Sequence, residues 1–412
     1  MYVYLDYFNT IRAFSYDPLE IDGCVSLEVP DLPESAWFNL IGRTLKLRNR
    51  KKQMDLRVAF ICNWDQQCGI SIYSKFLVNA IRPKVAELKI FSEHGAAESD
   101  EVLPCWHRGQ SMIAAVEAVK AWNPDLVVVQ HEFGLFPRAT HFLQMLQNLD
   151  ELPYVVALHS VYEHLDKSVC TAAIKNIIVH SEDAKQTLRR TGNNSNVFVI
   201  PHGCTIIDNN SELWNIFQTP YCMVQFGFGF FYKGVDVALD AIHILKTTNP
   251  EKYKEIFYCY LCSSNDKTSA IHNEYYKFLL TKIEQLNLQE NVAIIRKYQT
   301  DATLNHYLRT AKMALFPYLT DPNNTVYGAS GAIRIAMANG IPVIASPSHL
   351  FDDLQDVLPR PGNAEDLAKE IDLVFSNSEY RNAILHKCKQ FLSDNTWDAV
   401  ADKYLALCEE IN

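Results

Sequence analysis

Short apolar runs that end in a polar residue and lead into an amphipathic stretch recur along this chain, and few folds accommodate them. Leu56–Cys62, Leu126–His131, Tyr154–His159, Asn176–His180 and Val197–His202 follow the pattern, as do the runs starting at Cys222 and Met313. Runs of this length without apolar/polar alternation suit strands buried on both faces, which belong to parallel sheets. Helical stretches between them, such as 111–122 and 235–245, make βαβ repeats. The expectation is an α/β chain of two doubly wound sheets with a cleft between them. Four successive runs end in histidine: His131, His159, His180 and His202. Polar groups just past the carboxyl ends of parallel strands are where such sheets bind ligands.

The stretch Tyr318–Ser346 carries the clearest chemistry. Asp321, Pro322, Asn323 and Asn324 are turn formers. Ser330 and Gly331 then stand at a helix start, with Ala332, Ile333, Ala336 and Met337 as its apolar face, and Asn339-Gly340 ends it. Unpaired N–H groups and the positive dipole end make such a start an anion site; an ordinary capped helix is the alternative. A second candidate follows the strand ending at Cys62. There Gly69 and Ile70 precede a helix whose inward face reads Ile72, Phe76, Leu77 and Ala80. Neither place carries the G-x-G-x-x-G dinucleotide fingerprint. The loop Gly227–Gly234 adds a third element: Lys233 facing a helix start can neutralise a diphosphate as a point charge, or can be a surface lysine.

Of the histidines, His180 and His202 read as structural. His159 is the candidate for chemistry, because a neutral imidazole at a cleft donates to or accepts from a hydroxyl. His131 and Glu132 form a pair that either faces a ligand or orders its own loop. The pair does not make H-E-x-x-H, so a zinc protease is not indicated. Cys259 and Cys262 lie in an apolar run and read as core thiols.

With 412 residues the chain has room for two cores. The expected division is an N-terminal extension over 1–53, a first Rossmann-like domain over 54–215, and a second over 216–395. A closing helix over 396–412 then packs back on the first domain. No apolar run reaches the roughly 20 residues of a membrane span, and the opening residues do not make a signal peptide, so a cytoplasmic location is expected. Net charge of −10 argues against a general nucleic-acid binder, although the basic segment Arg43–Lys52 leaves such contact open.

Taken together, "QHEFGLF", "VVALHS", "IIVHSEDAKQTL", "VIPHG", "FGFGFFYKGVDVALDA" and "SGAIRIAMANGIPVIAS", with Gly69-Ile70, resemble the retaining nucleotide-sugar glycosyltransferases of the GT-B fold, family 4. The resemblance spans Leu56 to the end of the chain. It implies transfer of a sugar from a UDP- or GDP-linked donor to a hydroxyl acceptor with configuration kept, and with neither metal nor cofactor. By this resemblance Lys233 and His159 are catalytic. Gly69, Ile70, Lys233, Gly234, Tyr327, Ser330, Gly331 and Ala332 bind the donor, and His131 and Glu132 face the acceptor or the donor sugar. The sequence departs from the family at two places. Tyr327 and Ile335 stand where relatives carry a glutamate pair, and Phe228 stands where they carry an arginine. A non-catalytic binding protein and a sugar-nucleotide 2-epimerase are the alternatives. The acceptor, whether glycan, lipid, protein or a hydroxylated DNA base, is not legible.

Overall fold

In the computed structural model of this chain, the described residues are 2–6, 11–15, 24–28, 54–66, 68–162, 173–192, 195–207, 215–263, 269–323 and 325–411. The basic segment Arg43–Lys52 lies outside them. Met1–Leu56 with Arg82–Glu87 form one unit, and Arg57–Ile81 with Leu88–Asn412 form another. In the first, β1 (Tyr2–Asp6) pairs antiparallel with β2 (Ile11–Ser15) on one side and β3 (Cys24–Glu28) on the other.

The histidine-ending runs form a seven-stranded sheet. Its strands are β4 (Met54–Cys62), β5 (Val85–Glu93), β6 (Val102–Trp106), β7 (Leu126–His131), β8 (Tyr154–Leu158), β10 (Asn176–Val179) and β11 (Asn196–Val199). They lie in the order β11-β10-β8-β7-β4-β5-β6. Between the last run of β8 and β10 a short strand, β9 (Ser160–Tyr162), leaves the sheet. Every residue of β7, β8 and β10 is buried, as strands covered on both faces must be. Helices α1 (Gly69–Ile81), α2 (Ile113–Trp122), α3 (Ala139–Asn148) and α4 (Glu182–Arg190) supply the cover.

The second sheet holds β12 (Cys222–Phe228), β13 (Phe257–Ser263), β14 (Val292–Ile295), β15 (Met313–Phe316) and β17 (Val343–Ala345), ordered β14-β13-β12-β15-β17. Its four strand pairings are all parallel. Around it lie α5 (Val235–Thr248), α6 (Ser269–Gln285), α7 (Asp301–Thr310), α8 (Gly331–Ala338), α9 (Ala364–Ser376) and α10 (Ser378–Asp394). Cys259 and Cys262 are buried in β13, where burial pushes the Cys259 thiol up to about 12, so both sit as core thiols.

Two connections join the sheets. β9 pairs antiparallel with β16 (Val326–Gly328), aligning Tyr327 with Val161 and Gly328 with Ser160. The chain also returns from the second sheet through the Cys204–Thr396 bridge into α11 (Trp397–Ile411), which packs on α1. There the Tyr404 and Tyr73 hydroxyls share a hydrogen bond of 3.0 Å, and Trp397 stacks on Phe76. This contact corrects the expected inward face of α1. Ser71, Tyr73, Ser74, Leu77, Val78 and Ile81 are buried, while Ile72 is exposed. Covering by both the sheet and α11 rotates the buried arc toward Tyr73.

Candidate active site

Lys233 is placed by glycines. Near the end of β12 the chain passes Gly227, at φ +138°, and then makes one tight turn over Phe231–Lys233 before Gly234, at φ +62°. A Cβ on Gly234 would stand 1.8 Å from the Pro317 carbonyl oxygen, so only glycine lets these two backbones meet. The turn leaves the Lys233 side chain 7% exposed. Its Nζ donates to the Tyr318 hydroxyl at 2.6 Å and lies 4.0 Å from the centre of the same ring. Burial pulls this ammonium down to about 7, and no carboxylate among the described residues pairs with it. A buried cation without a counter-charge is held ready for an anion.

Tyr318 also connects to the helix start. Its hydroxyl interacts with the Ser330 side chain, and Ser330 is the N-cap of α8 without a side-chain bond to the first turn. The N–H groups of Gly331 and Ala332 therefore begin an uncapped helix. Ser330 is held instead through its backbone: its N–H donates to Leu350 and its carbonyl accepts from Arg334 Nη1 at 2.8 Å. Arg334 is buried and paired with Asp353. Sequence reasoning passed over both Tyr318 and Arg334. A tyrosine just beyond a buried strand and an arginine on an otherwise apolar helix face were the available signals.

The ribbon β9–β16 sets His159 beside this place. His159 precedes β9, Ser330 follows β16 by two residues, and a Cβ on Gly328 would meet the His159 carbonyl oxygen at 2.6 Å. Glu132 accepts from Ser160 Oγ at 2.7 Å and from the Phe133 N–H at 3.1 Å, and burial raises its carboxyl. Its charge also bears on Tyr162 and on Tyr232, the residue before Lys233. His202 faces the same helix start: a Cβ on Gly331 would lie 3.1 Å from its Nε2.

Two sequence expectations, those for His131 and Tyr327, differ from the structure. His131, expected to face the acceptor, is fully buried against Phe133, Phe136 and Phe142, with neither ring nitrogen bonded among the described residues. The cause is strand alternation, which puts His131 on the face of Val127 and Val129. Tyr327, expected at the donor, turns into the same core and stacks on His349. Gly69 opens α1 in free space, where an added Cβ meets nothing within 4 Å, and half-buried Ile70 packs on the core beside it. That helix start is held by Cys68, whose sulfur accepts from Asn63 Nδ2 and the Ser71 N–H.

Burial drives the His131 ring down to about 3 and the His180 ring to about 4. Unfolded histidines take up a proton below about 6.5. The stability these rings contribute is therefore complete above pH 6.5 and is lost as pH falls toward 4, at about 1.4 kcal/mol per pH unit for each ring. Urea midpoints at pH 7.5, 6 and 5 should fall accordingly. His131→Leu should flatten the slope and raise the midpoint at neutral pH, since it removes two unbonded buried nitrogens; an unchanged slope would show that the ring is not charge-free in the core.

Residues 207–390, the second sheet and the helices around it, match the family model described as glycosyl transferases group 1. The chain carries a group 1 glycosyltransferase domain. No curated protein matches the sequence. Among solved structures, the chain is similar to HepE from Anabaena in complex with UDP and glucose, with TM-score 0.62, 15% identity, and coverage of 86% of this chain and 100% of that one. It is also similar to the trehalose-6-phosphate synthase OtsA, with TM-score 0.67, 10% identity, and coverage of 86% and 99%. At these identities the likeness shows the fold, and the fold of this glycosyltransferase is GT-B. In it Phe228 stacks on His272.

Proposed function

We propose that the protein is a retaining glycosyltransferase that moves a sugar from a UDP- or GDP-linked donor to a hydroxyl acceptor without a divalent metal or cofactor. One observation carries it: a buried ammonium with no carboxylate partner among the described residues, Lys233, is joined through Tyr318 to the uncapped start of α8. The diphosphate of a nucleotide sugar supplies the missing negative charge. The C1–oxygen bond breaks with its electron pair moving to the leaving phosphate, where Lys233 and the N–H groups of Gly331 and Ala332 stabilise the charge. The acceptor oxygen bonds C1 from the same face, and its proton passes to the departing phosphate. Glu132 and Ser160, hydrogen-bonded to each other, are the groups we assign to hydroxyls of the sugar or acceptor. The likeness to HepE bound to UDP and glucose supports a UDP-linked sugar as the first donor to try.

A cytoplasmic location belongs to the same proposal. Nine of the described cysteines are free thiols, as a reducing compartment leaves them, and no described helix is long and apolar enough to cross a membrane.

A panel of nucleotide sugars tests the reading by thermal shift and by release of nucleoside diphosphate. At least one donor should stabilise the protein and be slowly hydrolysed. Diphosphate binding should also be flat below pH 7 and weaken above it, by up to about tenfold per pH unit, because a bound anion restores the proton that burial removes from Lys233. A folded protein that no donor stabilises is a non-catalytic binding protein. Interconversion of the donor sugar without nucleotide release makes it an epimerase.

A further inference from the structure

At the carboxyl ends of β7, β8 and β10, three neighbouring strands, the side chains of Gln130, His159 and His180 form one line. His180 Nδ1 lies 2.9 Å from the Ile200 carbonyl oxygen. Its Nε2 lies 3.3 Å from His159 Nδ1, and His159 Nε2 lies 2.7 Å from the Gln130 amide. A carbonyl only accepts, so His180 carries its proton on Nδ1. Both rings are driven toward the neutral form by burial, and a neutral ring has one proton. His180 Nε2 is then an acceptor, His159 must donate to it from Nδ1, and His159 Nε2 is left as a lone pair.

That lone pair needs a donor, and only the amide nitrogen of Gln130 can supply one. With the amide oxygen toward His159, two acceptors would face each other and the fully buried Gln130 nitrogen would have no partner. A half-turn of the amide removes both faults, since its nitrogen and oxygen exchange places without moving another atom. The oxygen then points to the side where the Tyr404 hydroxyl of α11 bears on the amide and bonds Tyr73.

We infer that Gln130 is a positioning residue for His159: its amide N–H donates to Nε2, fixes the Nδ1–H tautomer, and leaves the ring no free nitrogen for the substrate. His159 then serves the donor site as an uncharged, fixed wall rather than as an acid or base, anchored through Gln130 to Tyr404 of α11. The catalytic consequence rests on the proposed donor site; the hydrogen-bond line does not. This reverses the sequence expectation that the His159 imidazole exchanges hydrogen bonds with a hydroxyl.

Long-range ¹H–¹⁵N spectra of histidine-labelled protein test the line directly, with His159→Gln and His180→Gln used only to assign signals. His159 and His180 should both show a protonated Nδ1 and an unprotonated Nε2, unlike free histidine. A protonated His159 Nε2 in the wild type would overturn the proposal whether or not the protein is active. Gln130→Glu, which only accepts, should move the His159 proton to Nε2. It should lower kcat by about 10- to 100-fold, the range seen when a partner orienting a functional histidine is removed, with donor KM little changed. A wild-type spectrum in Gln130→Glu would equally refute it. Donor binding and hydrolysis by the wild type report separately on the site.

Discussion

Lys233→Met is expected to keep the fold, melt higher than the wild type, and lose donor turnover by about 10²- to 10³-fold. The two effects have one source. Holding an ammonium at 7% exposure without a carboxylate opposes folding until an anion arrives. Methionine fills a similar volume without that cost, and about 2–4 °C in melting temperature accompanies each kcal/mol for domains of this size. In the proposed mechanism the same ammonium stabilises the charge growing on the leaving phosphate, and methionine offers nothing in its place. Melting curves with and without nucleoside diphosphate, beside turnover, separate the outcomes. A variant that is stabilised yet turns over normally would remove Lys233 from the chemistry.

Gly234→Ala should cost more stability than any other single methyl around the second sheet, at about 3 kcal/mol or above. The new Cβ would lie 1.8 Å from the Pro317 oxygen and 2.8 Å from its carbon, and neither atom belongs to a flexible side chain. The left-handed backbone at φ +62° adds about 1 kcal/mol for a residue with a side chain. Relief comes only by parting the Lys233 turn from the Tyr318 loop, so diphosphate binding should fall with stability. Gly69→Ala is the control, because its Cβ meets nothing within 4 Å. It should leave the melting temperature unchanged, and a raised donor KM there would report a ligand passing close to Gly69. Denaturant unfolding of both variants checks the contrast, and equal stabilities would contradict the packing at Gly234.

The apolar runs from Leu126, Tyr154 and Asn176 were legible as parallel strands because each is buried on both faces and needs no alternation. The loop carrying Lys233 and the start at Ser330 were legible as well, since glycine, lysine and serine there follow from backbone demands. What parity hides in such runs is the face to which the last residue turns. Gln130 and His131 are adjacent and both polar, yet one joins the line of His159 and His180 while the other enters the phenylalanine cluster. Counting from Val127 and Val129 would have separated them, but only once the core face of β7 was known. Tyr318, Tyr73 and Tyr404 were harder still. Their partners lie 85 residues apart in the first case and 331 in the other two, and no local pattern announces such pairings.

The return of α11 to α1 also sets an order of assembly. Tyr73 and Phe76 find their cover in Tyr404 and Trp397, on the far side of the entire second sheet in sequence. During synthesis at about 5–20 residues per second, the first sheet therefore waits about 10–40 s with this patch open after its own strands have emerged. The half of the protein that is made first is completed by a segment made long after it, so the second half must fold without delay if the first is to close.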